Sequence, residues 1–143
     1  MSFDLKIMDG DLKIARDGDL QKVEDTEKLV QDIVKIISTQ IGANPFFPWY
    51  GSPITKSLLG RAFDRRFVSS VATQQLRTAM ERLQTLQREQ MRRNQVVTPQ
   101  EQIAAIQKVF VDRNIVDPRY YTIVLTVLSK AFSKVDIPLS IRL

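Results

Sequence analysis

From Val135 to Leu143 the chain alternates apolar and polar residues without a break. Val135, Ile137, Leu139, Ile141 and Leu143 fall on one side of an extended strand, and Asp136, Pro138, Ser140 and Arg142 on the other. A period of two is the pattern of a half-buried strand. Pro138 has no N–H to give to a ladder, which excludes the middle of a sheet and predicts an edge strand. An edge with open backbone groups accepts a strand from another chain, so the pattern points to assembly rather than chemistry. Such an edge also invites aggregation, so the segment is expected to be frayed or covered in the free protein.

The 143 residues suffice for one domain with a real core. The chain has no Cys and no His. Disulfides, thiolate metal sites, Ser-His-Asp arrangements and the commonest general base are therefore excluded. No catalytic residue, cofactor site or metal site is assigned. Asp9-Gly10-Asp11 and Asp17-Gly18-Asp19 do not fit a twelve-residue calcium loop, and turn chemistry explains them better. Glu24, Asp25 and Glu27 lie where helix capping already favours acids. No apolar run is long enough to span a bilayer, and the N-terminus lacks the apolar core of a signal peptide. A soluble protein made in the cytoplasm is expected.

The net charge of +5 is unevenly placed. Residues 61–93 hold eight Arg against Asp64, Glu81 and Glu89, whereas residues 1–32 hold nine acids against five bases. An acidic end and a basic middle suit head-to-tail or mixed-partner contacts. Nucleic acid is not expected as a partner, because residues 68–109 have no aromatic interleaved with their bases.

Along the chain, Asp4-Leu5-Lys6-Ile7 recurs as Asp11-Leu12-Lys13-Ile14, each copy followed by an Asp-Gly turn signal. This predicts a two- or three-stranded meander over 3–23. With Asp25 as N-cap, Leu29, Val30, Ile33, Val34, Ile37 and Ile41 then mark an amphipathic core helix ending near Gly42. Residues 43–60, rich in Pro and Gly, carry Phe46, Phe47, Trp49 and Tyr50. So apolar a loop must pack on its own core or on a partner. Core is the expectation, and Trp49 and Tyr50, with polar handles, are the interface candidates.

Residues 61–94 predict a long helix with a seam of Ala72, Leu76, Ala79, Leu83 and Leu86. Thr98-Pro99-Gln100-Glu101 has the form of a capping box, so a shorter helix is expected through Ile103, Ile106, Val109 and Phe110. Tyr120 to Leu128 is β-prone and is expected to pair with the last strand as a hairpin. The fold class is α+β: N-terminal β meander, core helix, a long plus a shorter helix, and a C-terminal antiparallel strand pair with an open edge. It is read as one domain over 1–143 with a helical extension over about 61–110.

Two segments taken together carry a resemblance. One is Thr39-Gln40-Ile41-Gly42-Ala43-Asn44-Pro45-Phe46-Phe47-Pro48-Trp49-Tyr50-Gly51. The other is Asp117-Pro118-Arg119 ahead of a strand pair. Behind an acidic Asp-Gly meander, they resemble the baseplate wedge (sheath initiator) family of contractile phage tails, sometimes labelled lysozyme-like. The family pattern has Glu-Pro-Arg where this chain has Asp117. The resemblance implies a structural virion protein of the inner tail baseplate. Its partners would be other wedge proteins, the tail sheath and the tube or spike hub, with no nucleic acid and no membrane. Sheath would dock by strand exchange on Val135, Ile137, Leu139 and Ile141. The wedge's helical bundle would be met by Asp117, Pro118 and Arg119, although Arg119 could equally pair with a carboxylate of its own domain. The alternative is a helical adaptor using the 61–94 helix as a coiled-coil contact.

Overall fold

The computed structural model describes residues 3–58 and 64–142. Leu143 of the alternating segment and residues 59–63, including Phe63, lie outside them.

The N-terminal region is a meander closed on itself. β1 (Asp4–Leu5) pairs with β4 (Lys22–Val23), and the hairpin of β2 (Ile7–Met8) and β3 (Asp11–Leu12) lies between them in sequence. Asp9 and Gly10 both have positive φ, 55° and 83°, which is the mirror-image turn that suits the twist of a two-residue hairpin. Three backbone bonds tie the three segments together: Lys6 N–H to Gln21 C=O, Lys13 N–H to Lys6 C=O, and Gln21 N–H to Lys13 C=O.

So small a sheet has no core of its own, and α1 (Asp25–Ser38) holds it. The Gln31 carbonyl oxygen accepts the Ile7 N–H at 2.9 Å, while its amide donates to Leu5 C=O at 2.8 Å and to the Asp4 carboxylate at 3.0 Å. Lys35 pairs with the same carboxylate. Burial alone would raise the Asp4 pKa, but hydrogen bonds from Lys35 and Gln31 and the lysine's charge outweigh it and leave it lowered. For Lys35 burial works downward, and the Asp4 hydrogen bond and charge leave it raised.

Helix α1 buries Leu29, Ile33, Ile36 and Ile37. Its N-cap position is occupied by Glu24, with no side-chain cap. Asp25 is instead the first helical residue, and its carboxylate accepts the Thr98 hydroxyl at 2.7 Å. That bond also replaces the capping box expected at Thr98, because no helix starts there.

Helix α2 (Ile54–Leu58) is a short turn, and α3 (Arg65–Arg92) is the long helix. Its 28 residues span about 42 Å at 1.5 Å per residue. Val68, Ala72, Leu76, Ala79, Met80 and Leu83 are buried, so the seam is spent on this chain's own core and not on a coiled-coil partner.

The shorter helix is absent. Residues 103–113 form β5 (Ile103–Arg113), which pairs antiparallel with β6 (Tyr120–Ser129), and β6 pairs with β7 (Lys134–Arg142). The expected strand pair is thus the second half of a three-stranded sheet in the order β5-β6-β7, and the helical extension ends with α3. Two register shifts in β5, between Ile103 and Ala105 and between Ile106 and Lys108, each insert an extra residue. Inward residues consequently fall at 103, 106, 109 and 111, which imitates helical spacing.

Helix α3 runs antiparallel to β5. The Ser69 hydroxyl donates to Val111 C=O at 2.6 Å near its start. Toward its other end the buried Gln87 amide donates to Glu101 C=O at 2.7 Å and accepts the Ile103 N–H at 2.9 Å. Core residues Tyr121, Ile123, Leu125 and Val127 of β6 meet the helices on one face. Lys108, Phe110, Thr122 and Pro138 remain exposed on the other.

Candidate interaction surfaces

The first surface is the free side of β7. Its nine residues pair with β6 without a register shift, from Lys134 opposite Leu128 to Arg142 opposite Tyr120. Val135 and Ile137 are anchored in the core, and Leu139 and Ile141 pack against it half-buried. These four apolar side chains therefore hold the strand in place. What β7 offers a partner is backbone, since no described strand pairs with its other side. Pro138 lies within an unbroken ladder although it has no N–H to give. That fits if its nitrogen faces the free side, and residues two apart in a strand share a direction. Asp136 and Ser140 then present their N–H groups to the same open edge.

The second surface is the β5–β6 turn. Arg119 bonds Asp117 through both ends of its fork, at 3.1 Å each, and its own N–H meets the same carboxylate at 3.0 Å. The hydrogen bonds from Arg119 lower the Asp117 pKa, and the Asp117 hydrogen bond raises that of Arg119. Pro118 C=O accepts the Arg113 Nε–H at 2.9 Å. The triplet is thus a locally bonded turn, with Arg119 paired to a carboxylate of its own chain. Just before it, Ile115 and Val116 are 83% and 93% exposed. The Asn114 side chain positions them by accepting the N–H groups of Val116 and Asp117.

The third surface is the aromatic loop, and here the expectation of a core loop is overturned. Phe46, Phe47 and Trp49 are 85%, 53% and 44% exposed, and only Tyr50 packs on the core. The rings form a chain of edge contacts, Phe47 to Trp49 at 5.8 Å and Trp49 to Tyr50 at 6.5 Å. Their backbone is tied on every side. Ser52 N–H donates to Thr39 C=O, Ile41 N–H to Ser52 C=O, and Gly42 N–H to Pro48 C=O. Arg82 of α3 donates to Trp49 C=O at 3.3 Å. Between loop and helix lies a groove of about 420 Å³ whose walls include Phe47, Trp49, Leu86 and Arg93.

No family model matches this chain, and no curated protein does. A solved structure does match: that of a Geobacter sulfurreducens protein provisionally assigned as a tail lysozyme. The TM-score is 0.59 over 82% of this chain and 89% of that one, at 12% sequence identity. What is shared is the fold.

No group of three or more acids close enough to hold a metal ion occurs among the described residues. Of the acids at the start of α1, Asp25 holds Thr98 and Glu27 lies 3.9 Å from Lys6. Among the described residues no helix is long and apolar enough to cross a membrane.

Sequence reasoning did not single out Ile115 and Val116 or the exposed apolar side chains of the meander. The signal was available for the former, since two β-branched residues between Asn114 and Asp117 have no neighbour in the pattern to pack on.

Proposed function

We propose that this chain is a structural component of a contractile phage tail: an inner-baseplate wedge protein that bridges wedge and tube and receives the first layer of sheath by strand exchange. The observation that carries this reading is the edge of β7, nine residues paired on one side and unpaired on the other among the described residues. The shared fold with a protein named as a tail lysozyme supports the tail setting.

In this reading an incoming sheath strand takes the open N–H and C=O groups of β7, skipping Pro138. Affinity comes from the main chain, and register comes from the gap the proline leaves. The turn at Asp117, Pro118 and Arg119 meets the wedge's helical proteins, with the tube or spike hub as the remaining neighbour. The protein resides in the virion baseplate and contacts neither nucleic acid nor membrane. Its role is not catalytic, and purified protein is expected to leave peptidoglycan intact; hydrolysis lost on changing Glu24 or Glu27 would refute that.

Truncation before Val135 is a poor test, because it would remove core side chains. Ser140→Pro is better. It deletes one donor on the open edge while leaving the β6 ladder its bonds. The variant is expected to keep its circular dichroism and lose capture of sheath protein from tail lysate. Unchanged capture would rule out docking on this edge.

A further inference from the structure

The three-stranded sheet has one face covered by helices and one left open. Helices α1 and α3 pack on the face of Tyr121, Ile123, Leu125 and Val127. On the other face the register sets side chains in rows across the strands. Phe110, Val124 and Pro138 form the middle row, apolar on all three strands, and Phe110 is 46% exposed. Lys108, Thr126 and Asp136 form the row on one side of it, and Asp112, Thr122 and Ser140 the row on the other. The two charges of the first row are held in place. Lys108 lies over the Phe110 ring, its Nζ 5.8 Å from the centroid, and Asp136 accepts the Thr126 hydroxyl at 2.6 Å. Two further bases stand at the ends of the face, Arg142 over the Tyr120 ring at one end and Lys134 opposite Leu128 at the other. An apolar strip rimmed by charge marks an interaction site.

We infer that this open face packs against the same face of a second copy, about a two-fold axis that lies between the two sheets and runs along β6. Such a rotation exchanges the places of β5 and β7 and keeps every row at its own level. Lys108 then faces Asp136 of the second copy, and Asp136 faces its Lys108. Phe110 faces Pro138, and Val124 faces Val124. A two-fold contact has to be complementary to itself, because residue i meets j and j meets i. This face meets that condition, since one row carries a base on one edge strand and an acid at the same level on the other. Like charges stay apart: Asp112 faces Ser140, Lys134 faces Ala105, and Arg142 faces Asn114. A two-fold axis across the strands is disfavoured by the same layout, because it sets Lys134 against Arg142. Along β6 the strands of the two sheets run nearly aligned, the usual packing of sheets about 10 Å apart. The face is three strands wide and nine residues long, or about 14 Å by 30 Å. That gives about 400 Å² on each copy, half of a standard interface, so the dimer is weak, with Kd on the order of 100 µM. The free edge of β7 stays open in it, so the contact is separate from strand exchange.

The test is sedimentation velocity of the full chain over a range of concentrations, with circular dichroism to check that each variant is folded. Lys108→Glu and Asp136→Lys should each weaken self-association at least about tenfold, because each sets like charges together twice in the dimer. An equimolar mixture of the two variants should associate again near the parent strength. In the mixed dimer the altered pair is again opposite in sign, and the second pair is native. That recovery requires position 108 of one copy to face position 136 of the other. Phe110→Ala should weaken association at least about tenfold at low and high salt alike, since it removes the aromatic anchor of the apolar row. A chain that stays monomeric up to roughly 1 mM overturns the inference. So does a mixture no stronger than the separate variants, or association indifferent to Phe110→Ala; either result places the contact elsewhere, on the edge of β7 first.

Discussion

Gly51→Ala tests whether the aromatic loop is a rigid display or a slack surface segment. Gly51 has φ of +116°, and a Cβ built on it would lie 2.5 Å from the Thr39 carbonyl oxygen and 3.0 Å from the backbone of Gln40 and Ile41. These are backbone atoms, so no side chain can swing aside. Ordinary contact begins near 3.4 Å, so the two segments must part by about 0.9 Å. The displaced carbonyl is the one that accepts the Ser52 N–H at 2.8 Å, and Ile41 N–H to Ser52 C=O at 3.2 Å spans the same gap. Two weakened hydrogen bonds cost about 1 kcal/mol each, and the positive φ adds about 1–3 kcal/mol. The total is about 3–5 kcal/mol, or a fall in melting temperature of roughly 10 °C or more for a chain of this size.

The control is Gly42→Ala. Gly42 also has positive φ, +84°, but nothing lies within 4 Å of its added Cβ. It should lose only the conformational cost, about 1–2 kcal/mol. Thermal unfolding followed by circular dichroism ranks the two variants. Trp49 is the only tryptophan, so its fluorescence reports the loop itself, and a red shift in folded Gly51→Ala would show the rings splayed. If Gly51→Ala melts no earlier than Gly42→Ala, the close approach of residues 39–41 to Gly51 is not what holds the loop.

Three further outcomes follow from single contacts. Asp4 lies below its ordinary 3.8, so its bond to Lys35 stabilises the fold above that pH and the contribution is lost as pH falls through the folded value. The melting-temperature gap between the parent chain and Asp4→Asn should be present near neutrality and close in acid; a constant gap would refute the pairing. Lys35, raised above 10.5, sets the other limit, with its contribution lost as pH rises through the folded value. Gln87→Ala removes the donor to the Glu101 carbonyl and the acceptor of the buried Ile103 N–H, and urea unfolding should show a loss of about 1–3 kcal/mol. Arg119→Ala should leave the melting temperature nearly unchanged, because its exposed side chain bonds a half-buried carboxylate only two residues away, yet abolish capture of wedge proteins; normal capture would exclude Arg119 from that interface.

Where sequence reasoning reached the fold, it did so through period and turn chemistry. The hairpin turn at Asp9-Gly10, the face of α1 and the β6–β7 pairing each follow from a pattern that one kind of element alone satisfies. β5 shows the limit. Its two bulges stretch the inward spacing from two residues to three, so Ile103, Ile106 and Val109 line up as a helix face would, and Ala104, Ala105 and Gln107 add helix propensity between them. Only the run Val109-Phe110-Val111 keeps the strand signature. Bulges are set by the partner strand and by α3, and neither is written in the segment itself.

The surfaces divide along the same line. The edge of β7 was legible because proline writes it directly into the sequence. The aromatic loop was not, because composition says only that rings seek burial, and whether they find it depends on geometry. Here the ties at Thr39, Gly42 and Ser52, together with α3 behind Trp49, use up the loop's backbone and leave its rings outward. Exposure of that kind is costly unless something covers it. The loop is held too firmly to fold inward and hide the rings, so any partner surface that covers them would meet them as they stand. That is the form expected of an assembly contact made repeatedly between prebuilt subunits, where ordering at each addition would be lost affinity.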